Sequence, residues 1–188
     1  MPRIGAYLRQ NPQPFVMRPL TEADDPLCRR LSEAASRSAL SSAAVSEPML
    51  TTLLAQQFRA QQIGYRQAYP DAEYFAVVVD GVAVGRVVVA IVERACAEAT
   101  GAGVDISALQ PCGRTLHIIE IALLPSAQGR GIGSAAIASL AKVARELGAG
   151  RLTLTVQCSN DRARRLYARL GFVETGGEAL LDMAMALP

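Results

Sequence analysis

The sequence predicts a single α/β domain, a mixed sheet of about seven strands flanked by about four helices. Strand-length runs rich in Val, Ile and Leu alternate with longer stretches whose apolar residues recur every three or four positions. The dipeptide Asp80-Gly81 separates two Val-rich runs, the mark of a tight antiparallel hairpin. A glycine-punctuated loop follows a nearly all-apolar run and leads into a long amphipathic stretch. A length of 188 residues suits one domain, and 51% hydrophobic against 19% charged residues is enough to bury a core.

The elements follow in order. Residues 1–14 hold Pro2, Pro12 and Pro14 and no period, so a tail or loose cover is expected there and the domain spans 15–188. Phe15 to Arg18 reads as a short strand. Thr21 caps a helix, with Asp24 in the acidic slot of a capping box and Leu27, Leu31, Ala34 and Ala35 at helical spacing. The Ser/Ala-rich residues 36–47 read as a loop, and Pro48 suits the first turn of a second helix. That helix carries Leu50, Leu53, Leu54, Gln57, Phe58, Gln61 and Tyr65, and its glutamines read as an uncharged, solvated face. Glu73 to Val79 and Val82 to Val92 form the hairpin, with Gly85 as a bulge. Residues 95–114 read as a mobile Gly/Ala-rich connector. Leu116 to Leu124 should lie inside the sheet. A helix over Gly131 to Leu147 ends at Gly148 or Gly150, and Arg151 to Val156 alternates as a strand. Asn160 or Asp161 opens a last helix ending at Leu170-Gly171. Two closing strands lie near Phe172 to Glu174 and Leu180 to Met185.

Charge and cysteine usage exclude several classes. A net charge of +2 argues against nucleic acid as a partner, and Arg162, Arg164, Arg165 and Arg169 read as a solvated helix face. Cys28, Cys96, Cys112 and Cys158 form no Cys-x-x-Cys pair, and the single His117 has no ligand spacing to them, so no metal site is expected. Reduced thiols and a cytoplasmic location follow. Arg3, Arg9, Gln10 and the prolines interrupt the start of the chain, so no signal peptide is read there. No apolar run approaches the ~20 residues that cross a bilayer, so no membrane partner is expected.

The chemistry concentrates in Gln128-Gly129-Arg130-Gly131-Ile132-Gly133, directly before a helix. Alternating glycines let successive N–H groups converge on one concavity, and a helix start adds unpaired donors and a positive dipole end. Such a loop binds phosphate. A nucleoside triphosphate would require a Gly-Lys-Ser/Thr run, which is missing. Gly131, Gly133 and Ala136 fit a dinucleotide pattern, but Val156-Gln157-Cys158 stands where the acidic ribose ligand belongs.

Coenzyme A is the third ligand. The stretch Ala122 to Gly133 resembles the acetyl-CoA motif of the GNAT acetyltransferase superfamily, Gln/Arg-x-x-Gly-x-Gly/Ala. Asn160 to Phe172 resembles its second signature, an Asn opening a helix that ends Leu-Tyr-x-x-Leu-Gly-Phe. Arg18 to Asp24 resembles the family's first strand and helix cap. The three landmarks occur in family order. The resemblance covers residues 15–186 and implies a single, mostly antiparallel GNAT-like domain.

It also implies direct attack of an amine on the thioester of acetyl-CoA in a ternary complex. The cofactor would lie between the fourth and fifth strands, its pantetheine pairing with Ala122, Leu123 and Leu124 like an added strand. An N–H near Leu123 would donate to the thioester oxygen. Gln128, Gly129, Arg130, Gly131, Ile132, Gly133 and Ser134 would hold the diphosphate, with Asn160 and Ala163 touching the cofactor. Tyr167 matches the position of the general acid that protonates the leaving thiolate. For the amine's proton the candidates are Glu120, the one carboxylate in its apolar run, and His117, with water as a further carrier. A structural pairing of Glu120 with an arginine is the competing reading. The acceptor is a small-molecule or peptide amine, since the variable segments Ser38–Tyr69, Ala95–Arg114 and Gly176–Leu181 would set specificity. Glu93, Glu98 and Asp105 read as ordinary surface acids. The apolar closing strand offers a surface for a homodimer. A chain that keeps the fold without turnover is the alternative function, against which the intact loop and Tyr167 speak.

Overall fold

The computed structural model describes residues 4–8, 15–40, 47–93 and 113–188. Among these no helix is long and apolar enough to cross a membrane. The strands are β1 (Val16–Pro19), β2 (Glu73–Val79), β3 (Val82–Glu93), β4 (Arg114–Leu123), β5 (Arg151–Gln157), β6 (Val173–Gly177) and β7 (Leu180–Ala186). The helices are α1 (Ile4–Leu8), α2 (Asp25–Leu40), α3 (Glu47–Ala68), α4 (Ile132–Glu146) and α5 (Asp161–Arg169). One seven-stranded sheet results, ordered β1-β2-β3-β4-β5-β7-β6. The chain forms two compact units, Met1–Ala90 with Ile118–Leu140, and Ile91–His117 with Ala141–Pro188.

In the first unit, β1 and β3 flank β2 antiparallel. Asp80 and Gly81 both take positive φ, as the two-residue hairpin turn requires. The ladder slips by one residue between Val77 and Val78, which face Gly85 and Ala83, so the bulge falls at Val84-Gly85. Phe75, Val77, Val87, Val88, Val89, Ile137 and Leu140 are fully buried core residues. The Thr21 N–H donates to Asp24 Oδ2 at 2.9 Å, the reciprocal arm of the expected box. A 3₁₀ turn, Glu22–Asp24, intervenes before α2.

Two segments differ from the sequence reading. Within the expected tail, residues 4–8 are helical and bury Ile4 and Leu8. The Glu73 carboxylate accepts the Ile4 and Gly5 amides at 2.7 and 3.3 Å, supplying acceptors that a turn this short cannot provide itself. Residues 36–40, read as loop, continue α2 to Leu40. Helix propensity accounts for this: Ala is the best helix former and Ser costs only a fraction of a kcal/mol, roughly 0.5.

In the second unit, β7 pairs antiparallel with both β5 and β6. Over Leu181 to Ala184, β7 therefore has a strand on each side. Leu116, Val143, Leu152, Leu154, Phe172 and Met183 are buried, while every residue of β6 is exposed. Residues 94–112, which hold most of the connector with Cys96, Glu98, Asp105 and Cys112, lie outside the described residues.

Candidate active site

The loop before α4 has the expected geometry. Gly129 and Gly131 adopt φ of 76° and 77°, a left-handed backbone in which an L side chain is strained. A Cβ built on Gly131 would meet nothing within 4 Å, so that side of the loop is open. Gln128 N–H closes on Pro125 O at 3.2 Å, and the next loop amide bonded to a main-chain carbonyl is Ala135, on Gly131 O at 3.0 Å. Among the described residues the intervening amides of 129–134 meet no such carbonyl outside the helix. Donors at an open helix start fit a diphosphate. The Gln128 side chain folds back, donating to Leu123 O at 2.9 Å.

The strand end leading into this loop is tied to the bulge. Leu124 N–H donates to Val84 O at 2.8 Å, so it is committed to β3. Consecutive strand residues direct their main-chain groups to opposite edges. Leu123 N–H thus points away from β3. A side chain at Gly85 would strike Leu123, and its Cβ would lie 2.7 Å from Ala122 O. Glycine there permits the close approach of β3 and β4.

Glu120 is not solitary. Arg86, on β3, donates to Oε1 through Nε at 3.0 Å and Nη2 at 2.7 Å, and to Oε2 through Nη2 at 2.6 Å. Arg86 is 2% exposed and Glu120 14%. Burial opposes the guanidinium charge, but the Glu120 carboxylate outweighs it and holds the Arg86 pKa above its ordinary value. The remaining prong reaches α3, where the Gln62 amide, oriented by its hydrogen bonding, accepts from Nη1 at 2.9 Å. The Phe58 ring centroid lies 5.6 Å from the guanidinium carbon. Gln61 donates to Tyr65 Oη at 2.7 Å. Burial, and after it the Glu120 charge, pushes the Tyr65 phenol up to about 12. Buried Cys28 is a neighbour of Arg86, its thiol raised by burial and partly compensated by the guanidinium.

Phe58, Gln61, Gln62 and Tyr65 recur at helical spacing. Gln57 and Gln61 are exposed, as the sequence reading expects, while Phe58 and Gln62 on the same helix are turned onto a buried ion pair. Arg86 is the functional candidate that sequence reasoning missed. The available signal was two lone charges in apolar strands, Arg86 within Val82 to Val92 and Glu120 within Ile118 to Leu124.

In the second unit, His117 is half-buried, with Nδ1 2.9 Å from Thr153 Oγ1. Burial lowers its pKa, so the imidazole is neutral at neutral pH. Asn160 caps α5, its Oδ1 accepting Ala163 N–H at 3.1 Å; this commits the Ala163 amide to the cap. The helix ends in a Schellman motif. Gly171 N–H bonds Ala168 O at 3.1 Å and Phe172 N–H bonds Tyr167 O at 3.0 Å, with Gly171 at φ 95°. The accompanying apolar contact is Tyr167 against Phe172, with ring centroids 5.8 Å apart. The signature Tyr-x-x-Leu-Gly-Phe is thus a helix stop that fixes the tyrosine. Tyr167 is buried, and burial raises its pKa, so the phenol keeps its proton at neutral pH.

Comparison with known proteins bears on the family and the fold. The acetyltransferase (GNAT) family matches residues 42–172. The PaiA N-acetyltransferase of Thermoplasma acidophilum, solved with coenzyme A, is similar in fold at a TM-score of 0.63 and 13% identity, over 92% of this chain and 98% of that one. An acetyltransferase of Thermus thermophilus gives 0.58 at 21% identity, over 92% and 97%. The spermidine N-acetyltransferase of Vibrio cholerae, solved with coenzyme A and spermine, gives 0.57 at 18% identity, over 92% and 95%.

Proposed function

The chain belongs to the GNAT acetyltransferase family, and from that premise we propose that it acetylates a primary amine by direct attack while cofactor and amine are bound together. It is an acyltransferase of the acetyl-CoA-dependent, GNAT type. Acetyl-CoA supplies the activated acetyl thioester. The reading rests above all on the loop, where Gly129 and Gly131 adopt left-handed backbone at the start of α4. The amides of Gly129 to Ser134, with the Arg130 side chain, are the ligands of the cofactor diphosphate. Leu123 N–H, directed away from β3, is the donor for the acetyl oxygen. Tyr167 Oη, protonated at neutral pH, is the proton donor to the thiolate. Asn160 presents the start of α5.

Glu120 is the carboxylate that meets the acceptor amine. His117 is the rival base, and its neutral imidazole is the form that accepts a proton. The acceptor is a small-molecule or peptide amine, and polyamines belong in the first panel because one neighbour of this fold is a spermidine N-acetyltransferase.

Thiol release from acetyl-CoA against polyamines, drug amines, lysine and peptide N-termini tests the reading. Turnover on at least one class is expected, and Tyr167→Phe should lower kcat by about 10²–10⁴-fold, the usual span for a proton donor. Tight acetyl-CoA binding with no turnover on any amine would favour a cofactor-binding module instead. No uptake of coenzyme A by calorimetry would remove the loop from the site.

A further inference from the structure

The Arg86–Glu120 pair is costly to bury, and stability alone does not explain it. Two apolar side chains of similar volume commonly serve a core as well as a desolvated ion pair does. Yet β3 places one cation in a run that is otherwise Val, Ala, Gly and Ile from 82 to 92, opposite the one acid of Ile118 to Leu124. The bonding is uneven. Glu120 Oε1 accepts two N–H groups of Arg86, whereas Oε2 accepts one, leaving a lone-pair direction on Oε2 that the guanidinium does not use. A two-pronged contact fixes the carboxylate plane as well as its position. Arg86 is itself held by Gln62 and Phe58 of α3, with Cys28 of α2 as a neighbour. Tyr65, also on α3, lies beside Glu120. Glu120 stands three residues before Leu123 on the same strand.

We infer that Arg86 is a positioning residue of the acetyl transfer: it grips Glu120 so that the Oε2 lone pair the guanidinium leaves receives an N–H of the incoming amine and orients its nitrogen. The inference rests on the preceding reading that the amine binds at Glu120. Arg86 touches neither substrate nor cofactor; its effect passes entirely through the carboxylate. The segment 58–65 of α3 thereby takes part in the acceptor site, since Gln62 and Phe58 hold the residue that holds the Glu120 carboxylate.

A double-mutant cycle separates this role from a structural one. The variants are Arg86→Met, Glu120→Gln and the two combined, with Arg86→Lys as the conservative change. Steady-state kinetics are read with an amine that the native protein acetylates, alongside calorimetric binding of coenzyme A. Each single change should lower kcat about 10–100-fold, the cost of a misplaced reacting group, with coenzyme A affinity held within about threefold. The combined variant should be no slower than Glu120→Gln alone, because without the carboxylate Arg86 has nothing to position. Arg86→Lys should fall near Arg86→Met, as a point charge cannot form the fork.

A combined variant slower than Glu120→Gln by the full factor that Arg86→Met shows on its own would overturn the inference, as would native kcat in Arg86→Met. If Arg86→Met fails to fold, the combined variant carries the test, since it leaves no unpaired buried charge. Equality with Glu120→Gln then supports the inference, and a further tenfold drop, about 1.4 kcal/mol, refutes it. Native protein that binds coenzyme A but acetylates no amine would sink the acetyl-transfer reading itself. Independent losses in a working enzyme sink only the role of Arg86.

Discussion

The glycine loop before α4 follows closely on the strand that carries Glu120, yet this loop and the Arg86–Glu120 cluster are built in opposite ways. As the proposed diphosphate site the loop would bind with main-chain amides, so its requirements are conformational: glycine where φ is positive, and a helix start behind it. The cluster uses side chains only, drawn from α2, α3, β3 and β4, and each depends on the others for charge and hydrogen bonds. A main-chain site tolerates sequence drift and fails through backbone strain. A buried side-chain site fails when a single partner is removed.

The largest effect should therefore come from the cluster. Glu120→Leu strands a buried guanidinium and should cost about 3–5 kcal/mol in urea unfolding, most of it regained when Arg86→Met is added. A loss under about 1 kcal/mol would mean the pair is solvated and the contrast is false. Next comes Gly85→Ala at the bulge, where the added Cβ meets the Ala122 carbonyl; overpacking against backbone should cost about 1–3 kcal/mol by the same measurement.

Gly131→Ala probes the loop. Space is open there, so the stability cost should be only the left-handed backbone penalty, about 1–2 kcal/mol, while coenzyme A binding by calorimetry weakens about tenfold or more. Unchanged affinity would detach the backbone conformation from binding.

The smallest effect belongs to a side-chain pair of the opposite kind, local and half open to solvent. Arg18 grips Asp24 at 2.7 and 2.8 Å, but Arg18 is 41% exposed. The guanidinium, aided by Thr21, holds the Asp24 carboxyl well below the usual carboxylate range. Because the folded group titrates below the unfolded one at about 3.9, its contribution is intact at neutral pH and is lost as pH falls through about 4 and beyond. Asp24→Asn should lower stability by no more than about 1 kcal/mol at neutral pH and flatten the acid side of a Tm-against-pH curve. Equal slopes for the two proteins would show that Asp24 takes no part in the acid response.

The same contrast explains what could be read from the chain. The loop, the Asn160 cap, the Asp80-Gly81 hairpin and the bulge at Gly85 were legible because each is encoded within a few adjacent residues. The helix stop at Gly171 belongs with them. Arg86 and Glu120 are 34 positions apart, and no local rule joins two lone charges on different strands. Along α3 the exposed Gln57 and Gln61 match the solvated face read from the sequence, while Gln62 escaped notice for the same reason, since an uncharged amide looks alike whether it meets water or a buried guanidinium. Helix α1 escaped notice because its amides are bonded by Glu73, 69 positions away. The extension of α2 through 36–40 shows propensity outweighing a composition that resembled a linker.

The stop at the end of α5 carries a consequence for changes of length. Tyr167 is located by counting from Asn160 at one end and Gly171 at the other. One residue inserted between Asn160 and Tyr167 would swing the phenol by about 100° around the helix axis, since a turn takes 3.6 residues. Substitutions at the exposed Ala168 and Arg169 leave that count intact. Drift in this segment should therefore proceed by replacement, with gaps and insertions confined to the turns outside the helix.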